Sequence, residues 1–112
     1  LHCYDYAPPD GRAAQFAGIP LPFGPWLKPA MDRAQVRDDP EFRRDLVKLL
    51  IDRIHATFAP YDDDARLVHL VDSRGCLDID NDWDNELHPN SKGFEKLAAG
   101  PWRTALAKYG FA

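Results

Sequence analysis

Residues 40–59 most constrain what this chain can fold into, because six apolar side chains recur there at helical spacing. Asp39 suits an N-cap, Pro40 suits the first helical position, and Pro60 closes the segment. The pattern predicts a helix with one buried stripe, formed by Phe42, Leu46, Leu49, Leu50, Ile54 and Phe58. Burying such side chains contributes roughly 1.5–3 kcal/mol each in transfer free energy, so this helix requires an apolar surface to cover.

Two short apolar segments, residues 1–6 and 67–72, flank this helix and predict buried parallel strands. A second helix is predicted from Ser91 to Tyr109, with a break or kink at Gly100-Pro101. The resulting order is a βαβα unit, which predicts an α/β protein of the flavodoxin-like type. We therefore expect a three-layer α/β/α domain with a parallel sheet and right-handed crossovers.

The strand count is too small for this fold to be complete. Two strands do not make a stable α/β domain alone, and Leu1 opens the chain in what reads as the middle or end of a strand. We expect residues 1–112 to form a single partial domain, the C-terminal βαβα portion, without its first strands.

Residues 7–29 contain six prolines and three glycines, a density that excludes regular structure over most of the segment. We expect a long ordered loop, because apolar side chains in it can pack onto the rest of the domain. These side chains are Phe16, Ile19, Leu21, Phe23, Trp26 and Leu27.

Charge and hydropathy exclude two classes of partner. The net charge of −4 argues against nucleic-acid binding, which requires a basic surface. No apolar run approaches the roughly 20 residues of a membrane span. Two cysteines, Cys3 and Cys76, are too few for a disulfide scaffold; they are either free thiols, the interpretation we favour, or one bridge.

Acidic residues are concentrated after the second predicted strand, where an open parallel sheet places its functional site. Residues 78–86 hold Asp78, Asp80, Asp82, Asp84 and Glu86, and His88 follows. The first three are spaced like the opening ligands of a calcium-binding EF-hand loop. Trp83 and Pro89 then stand where that loop requires Gly and Glu. We therefore expect a solvated acidic loop with one or two functional members, and no metal or cofactor.

The segment Asp82-Trp83-Asp84-Asn85-Glu86-Leu87-His88-Pro89, followed by Gly93-Phe94, resembles the last conserved block of the SGNH/GDSL hydrolases. In that family a short acidic segment leads to a histidine, with Pro next and Gly-aromatic a few residues later. His2 to Tyr6 with Pro9 to Arg12 is similar to a turn in some bacterial members, and Gly24 to Leu27 to the loop after it. The resemblance covers nearly the whole chain, as the C-terminal portion of the family.

This resemblance implies a serine hydrolase that acts on a small-molecule ester, such as an acylated sugar or lipid. His88 would be the general base that activates the serine and later protonates the leaving alcohol. The family usually places the carboxylate that orients the histidine three residues before it, where this chain has Asn85. Asp82 is the substitute that we favour, with Asp84 and Glu86 as alternatives. Asn85 could also orient His88 through a hydrogen bond alone.

The other parts of the family's site are not in these residues. The family's nucleophile lies in a Gly-Asp-Ser block and its oxyanion hole uses a Gly and an Asn, whereas the serines here are Ser73 and Ser91, outside any such context. We expect an earlier segment of the same polypeptide to supply nucleophile and oxyanion donors, and the 112 residues alone to be inactive.

Simpler interpretations stand beside these. His88 could cap the helix that starts near Ser91. Tyr4, Asp5, Trp83 and Arg74 are candidate substrate-binding residues, but aromatic rings can also anchor a loop and Arg74 can pair with a carboxylate. The chain as a whole could be a non-catalytic α/β binding or assembly module that uses the acidic loop 78–86. An open sheet edge could also pair with a second copy in a homodimer.

Overall fold

Helices, with 3₁₀ and π-helical turns included, account for 46% of the residues in the computed structural model, which describes residues 1–16 and 18–111. The helices are α1 (Leu27–Arg33), α2 (Pro40–Phe58), α3 (Ser91–Leu97) and α4 (Arg103–Lys108). A π-helical turn, Ala98–Trp102, joins α3 to α4, and two 3₁₀ turns, Ala59–Tyr61 and Asp64–Arg66, follow α2. Strands β1 (Gln15–Phe16) and β2 (Ile19–Pro20) form a two-residue antiparallel pair.

The predicted flavodoxin-like parallel sheet is wrong. Within the described ranges, residues 1–6 and 67–72 meet only at one isolated parallel bridge, between His2 and Val71. Leu67 adopts a left-handed conformation (φ 55°) after a 3₁₀ turn, and Val68 pairs back on Asp63. The first residues of segment 67–72 therefore belong to a turn and not to a strand. Among the described residues, no further strand lies beside this pair of short parallel segments to extend the ladder.

Helix α2 begins at the predicted residue and ends at Phe58, one residue before the predicted end. The side chain of Asp39 caps it by accepting a hydrogen bond from the backbone N–H of Phe42 at 3.1 Å. The predicted buried stripe is wrong, however. Arg43 and Val47 face the interior, while most of the stripe, including Leu49 with 51% of its surface exposed, faces solvent. The guanidinium of Arg43 donates to the carbonyl of Val36 at 3.1 Å, so a buried cation docks α2 where apolar packing was expected.

The C-terminal helix is interrupted at the predicted position. Pro101 lacks a backbone N–H, and the chain accommodates it in the π-helical turn between α3 and α4. Asn90 starts α3, its side chain accepting from the backbone N–H of Gly93 at 3.0 Å. The cap of this helix is therefore Asn90, and His88 is left for another role.

Most of residues 7–29 is irregular, as predicted, although β1, β2 and the start of α1 lie within it. Ala17, which belongs to this predicted loop, and Ala112, at the end of the predicted domain, lie outside the described residues, as does the side chain of Phe16.

The apolar core lies between α1, α2 and the loop that precedes α3. Its buried members are Ala7, Met31, Val47 and Trp83. Both cysteines are free thiols, Cys3 buried and Cys76 partly buried. Among the described helices, none combines the length and apolar character that crossing a membrane requires.

Candidate functional site

His88 is held by the tightly folded loop that precedes α3. Trp83 and Pro89 form an antiparallel bridge across this loop. Inside it, the backbone carbonyl of His88 accepts from the N–H of Asp84 at 3.0 Å and of Asn85 at 3.3 Å. The backbone of His88 is thereby anchored on two sides, while its side chain remains exposed.

Asn85 determines the tautomer of His88. Its Oδ1 accepts the backbone N–H groups of Leu87 at 2.9 Å and His88 at 3.0 Å, and it lies 3.1 Å from Nδ1 of the His88 ring. Because two backbone donors face this atom, it must be the amide oxygen and not the nitrogen. In the neutral imidazole, Nδ1 of His88 therefore carries the proton and Nε2 the lone pair, which is the tautomer that a general base requires.

The amide nitrogen of Asn85 points the other way, to a carboxylate. Nδ2 donates to Oδ2 of Asp84 at 3.0 Å, a contact that again requires nitrogen at this position. Asn85 is buried, with 3% of its surface exposed, whereas Asp84 is exposed. A line of hydrogen bonds thus runs from the Asp84 carboxylate through the Asn85 amide to the imidazole of His88.

Asp82, the substitute acid that we favoured, is directed elsewhere. Its Oδ2 accepts from Nζ of Lys96 at 2.5 Å and from the backbone N–H of Asp78 at 2.7 Å. The hydrogen bond from Lys96 lowers the pKa of the Asp82 carboxyl below its usual value. Among the described residues, none of its hydrogen bonds goes to His88, so the structure brings His88 together with Asn85 and ties Asp82 to α3.

Glu86 is a structural centre that sequence reasoning missed. Its side chain is fully buried and accepts four backbone N–H groups. Oε1 takes those of Gly11 and Lys28, each at 2.9 Å, and Oε2 takes those of Trp26 and Leu27 at 2.5 and 2.6 Å. The carboxylate therefore fastens the Pro/Gly-rich loop and the first turn of α1 to the loop that carries His88. Its position in an acidic segment gave no sign of this role.

An apolar cleft of about 550 Å³ opens beside His88. The N-terminal segment, the loops around residues 73–77 and 83–89, and the α3–α4 region line it. The aromatic and aliphatic side chains along it include Tyr4, Trp83, Phe94, Leu97, Trp102 and Leu106. Small organic ligands commonly bind in apolar clefts that have a polar group such as a histidine at their border.

The four predicted substrate-binding residues differ in whether they line the cleft and in whether their polar groups are free. Tyr4 and Trp83 both line the cleft, Tyr4 exposed and Trp83 buried in the core as well. Asp5 also borders it, but its carboxylate is buried and accepts the backbone N–H groups of Gly75 at 2.5 Å and Leu77 at 2.6 Å. That carboxylate holds a loop and is occupied.

Arg74 is engaged by carboxylates and is not free for a substrate anion. Its guanidinium donates to Oδ2 of Asp72 at 2.7 Å and to Oδ1 of Asp52 at 2.8 Å. The hydrogen bond from Arg74 lowers the pKa of Asp72, and the same contact raises the pKa of Arg74. This network joins α2 to the segment after Val71.

Cys3 and Ser73 line the cleft, but neither is prepared as a nucleophile. Burial raises the pKa of the Cys3 thiol, and its Sγ lies 3.2 Å from Oδ1 of Asp72, so the thiolate is disfavoured. Ser73 lines the same cleft, but its Oγ is buried and has no hydrogen-bond partner among the residues that the structure describes. Within those same residues, no group of three His, Cys, Asp or Glu side chains is arranged to hold a metal ion.

Comparisons with known proteins add no further constraint. No family model matches the chain, and neither the curated proteins nor the solved structures contain a match.

Proposed function

We propose that this chain is the C-terminal part of a serine ester hydrolase of the SGNH/GDSL type, with His88 as its general base. The observation that carries the proposal is the orientation of His88: Asn85 Oδ1 engages Nδ1 at 3.1 Å, and the ring borders an apolar cleft. The proposal concerns the chemistry of this loop. It does not rest on the parallel sheet, which the described residues do not form.

In this reaction, Nε2 of His88 takes the proton of a serine hydroxyl while the serine oxygen attacks the ester carbonyl. The resulting imidazolium, held through Nδ1–H by Asn85, then gives that proton to the leaving alcohol, and an acyl-enzyme forms. In the second half, a water molecule gives a proton to the same nitrogen while its oxygen attacks the acyl carbonyl. The acyl–serine bond then breaks, the acid leaves, and the imidazolium returns the proton to the serine oxygen. Asn85 keeps the ring oriented through both halves of the reaction.

The serine and the oxyanion donors come from an earlier segment of the same polypeptide in this proposal. The backbone of residues 1–3 supports this, because only one edge of this segment forms hydrogen bonds with residues 69–71. The Leu1 amino group donates to the carbonyl of His69, the Val71 N–H donates to the carbonyl of Leu1, and the Cys3 N–H donates to the carbonyl of Val71. Among the described residues, the N–H groups of His2 and Tyr4 on the other side have no backbone partner, so a further segment can pair there.

Exposed apolar side chains on α2 also support a covering segment. Phe42, Leu49, Leu50 and Ile54 are each more than a third exposed. Contiguous apolar surface of this kind is uncommon on a complete monomer and marks a place where another segment or chain packs.

The test uses the full polypeptide encoded with this chain. We expect a serine-directed fluorophosphonate probe to label one serine upstream of Leu1, and the protein to hydrolyse p-nitrophenyl acetate. His88→Ala should lower kcat/KM by about 10³-fold or more, as loss of the base does in serine hydrolases. The matched control is His55→Asn, which changes a partly buried histidine on α2 away from the cleft.

Two results contradict the proposal. One is a full polypeptide with no probe-reactive serine and no esterase activity. The other is turnover by the 112-residue chain alone that His88→Ala abolishes, because the nucleophile would then lie within these residues.

The alternative, a non-catalytic module that binds through the acidic loop 78–86, has weaker support. Its carboxylates are largely occupied inside the chain. Glu86 and Asp82 are buried, and Oδ1 of Asp78 accepts from the backbone N–H groups of Asp80 at 3.0 Å and Asn81 at 2.9 Å. Few acidic groups of this loop are left for a partner.

A further inference from the structure

We propose that Asp84 is a positioning residue for His88 and acts through the side-chain amide of Asn85. This inference rests on the proposed function, because it explains how a neutral residue can serve where the related hydrolases use a carboxylate. Asp84 would supply the negative charge one residue further away, with Asn85 as the connection.

The contacts on both sides of Asn85 carry the argument. Oδ2 of Asp84 accepts from Nδ2 at 3.0 Å, and Oδ1 lies 3.1 Å from Nδ1 of His88. The backbone N–H groups of Asp84 and Asn85 both bond to the carbonyl of His88, so all three residues belong to one short, closed turn. The Asn85 amide cannot flip, because its oxygen faces N–H donors and its nitrogen faces a carboxylate acceptor.

The physical effect is polarisation of the amide. A carboxylate that accepts from the amide N–H polarises the amide, so that its oxygen, Oδ1, becomes a stronger acceptor. Hydrogen bonds in series strengthen one another in this way. Oδ1 of Asn85 then stabilises the imidazolium that forms when His88 takes the serine proton. The benefit is greatest in the transition state, so it belongs to kcat more than to KM.

The size of the effect follows from exposure. Asp84 is exposed, and solvent and salt screen its charge, so we expect a contribution comparable with that of a surface charge pair. In the full polypeptide, Asp84→Asn should lower kcat by about two- to five-fold with little change in KM, and the loss should shrink at high salt. Asp84→Glu should restore part of it.

The double substitution is the decisive arm. Asn85→Asp places a carboxylate directly against Nδ1 and should raise kcat about ten-fold, because a charge-assisted hydrogen bond replaces a neutral one. In that background Asp84 no longer acts through an amide, and its charge repels the new carboxylate. Asp84→Asn added to Asn85→Asp should therefore be neutral or favourable, which reverses the sign seen in the parent.

The control is Asp80→Asn, which removes the same charge from the same loop at an exposed position whose ion pair is with Arg44. It should leave kcat and its salt dependence unchanged. An Asp84→Asn loss that is equal in both backgrounds, or equal to that of Asp80→Asn, overturns the inference.

A second readout separates failure of this inference from failure of the proposed function. Long-range ¹H–¹⁵N NMR on the full polypeptide reports the tautomer of His88 without any turnover. We expect a protonated Nδ1 whose proton signal moves upfield in Asp84→Asn and stays in place in Asp80→Asn. If the proton is on Nε2, or if the Nδ1 proton signal does not change in Asp84→Asn, the inference is contradicted even where the esterase is active. If the signal shifts as expected, the inference is supported even where the fluorophosphonate probe labels no serine.

Discussion

The indole ring of Trp26 lies edge-to-face with the imidazole ring of His88, with 6.1 Å between the ring centroids. The two residues are far apart in sequence and meet because Glu86, two positions before His88, accepts the backbone N–H of Trp26 at 2.5 Å. The carboxylate thus sets the distance between the Pro/Gly-rich loop and the candidate base. The contribution of Trp26 and that of Glu86 to the position of His88 can therefore be tested separately by substitution.

Trp26 is expected to restrict the His88 ring. Aromatic pairs of this geometry contribute about 0.5–1.5 kcal/mol beyond their area burial. In the full polypeptide, Trp26→Ala should lower kcat about three- to ten-fold, and Trp26→Phe should keep most of the activity because a ring remains. Steady-state kinetics on both variants measures this. Equal losses in the two variants would show that the aromatic contact is not what counts.

Glu86 is expected to contribute to stability through its four backbone hydrogen bonds. Glu86→Gln replaces one accepting oxygen with an amide that faces N–H donors, so the free energy of unfolding should fall by about 2–4 kcal/mol. Urea denaturation measures the change, with Glu95→Gln on the exposed side of α3 as the control. A loss below about 1 kcal/mol would mean that the loop relaxes to satisfy its N–H groups elsewhere.

Gly93 allows α3 to approach the loop that carries His88. A Cβ at this position would clash with the backbone carbonyl of Asp82 and would lie 2.8 Å from Cβ of Pro89. Gly93→Ala should therefore lower the free energy of unfolding by about 1–3 kcal/mol, as overpacking does. It should also shift the backbone resonances of the loop.

Gly100→Ala is the matched control, because nothing lies within 4 Å of the Cβ that it adds. It should leave the loop resonances close to those of the parent, and it should not lower the unfolding free energy, because alanine is the better helix former. Similar effects from the two substitutions would indicate a general cost to the helix and not a contact with the loop.

Asp52 is expected to make the protein sensitive to acid. Hydrogen bonds from Lys48 and Tyr6 lower the pKa of its carboxyl from 3.8 to about 2. Because the folded-state pKa is below the unfolded value, this stabilisation is complete above pH 3.8 and is lost as the pH falls toward about 2. The urea midpoint should fall over this range, and less steeply in Asp52→Asn. Asp45→Asn, an exposed acid on the same helix, should keep the slope of the parent.

Local chemistry was enough to predict several features of this chain. The cap at Asp39, the proline at position 40 and the proline at position 60 delimit α2 because each acts on the backbone next to it. Pro101 interrupts the C-terminal helix for the same kind of reason, since it removes one N–H from a local ladder. The segment from Asp82 to Pro89 also made His88 and Asn85 site candidates, through its resemblance to a block of the SGNH/GDSL hydrolases. The cleft beside them is visible only in the structure.

The partners of the buried charges depended on contacts between distant residues. Glu86 bonds to N–H groups some sixty positions earlier, Asp82 bonds to Lys96 on α3, and the buried Arg43 anchors α2 together with Val47. Periodicity cannot distinguish these choices, because it reports which side chains share a face and not what lies opposite that face. The parallel sheet failed for the same reason: two strand-like segments form a ladder only where further strands cover them, a condition that lies outside each segment.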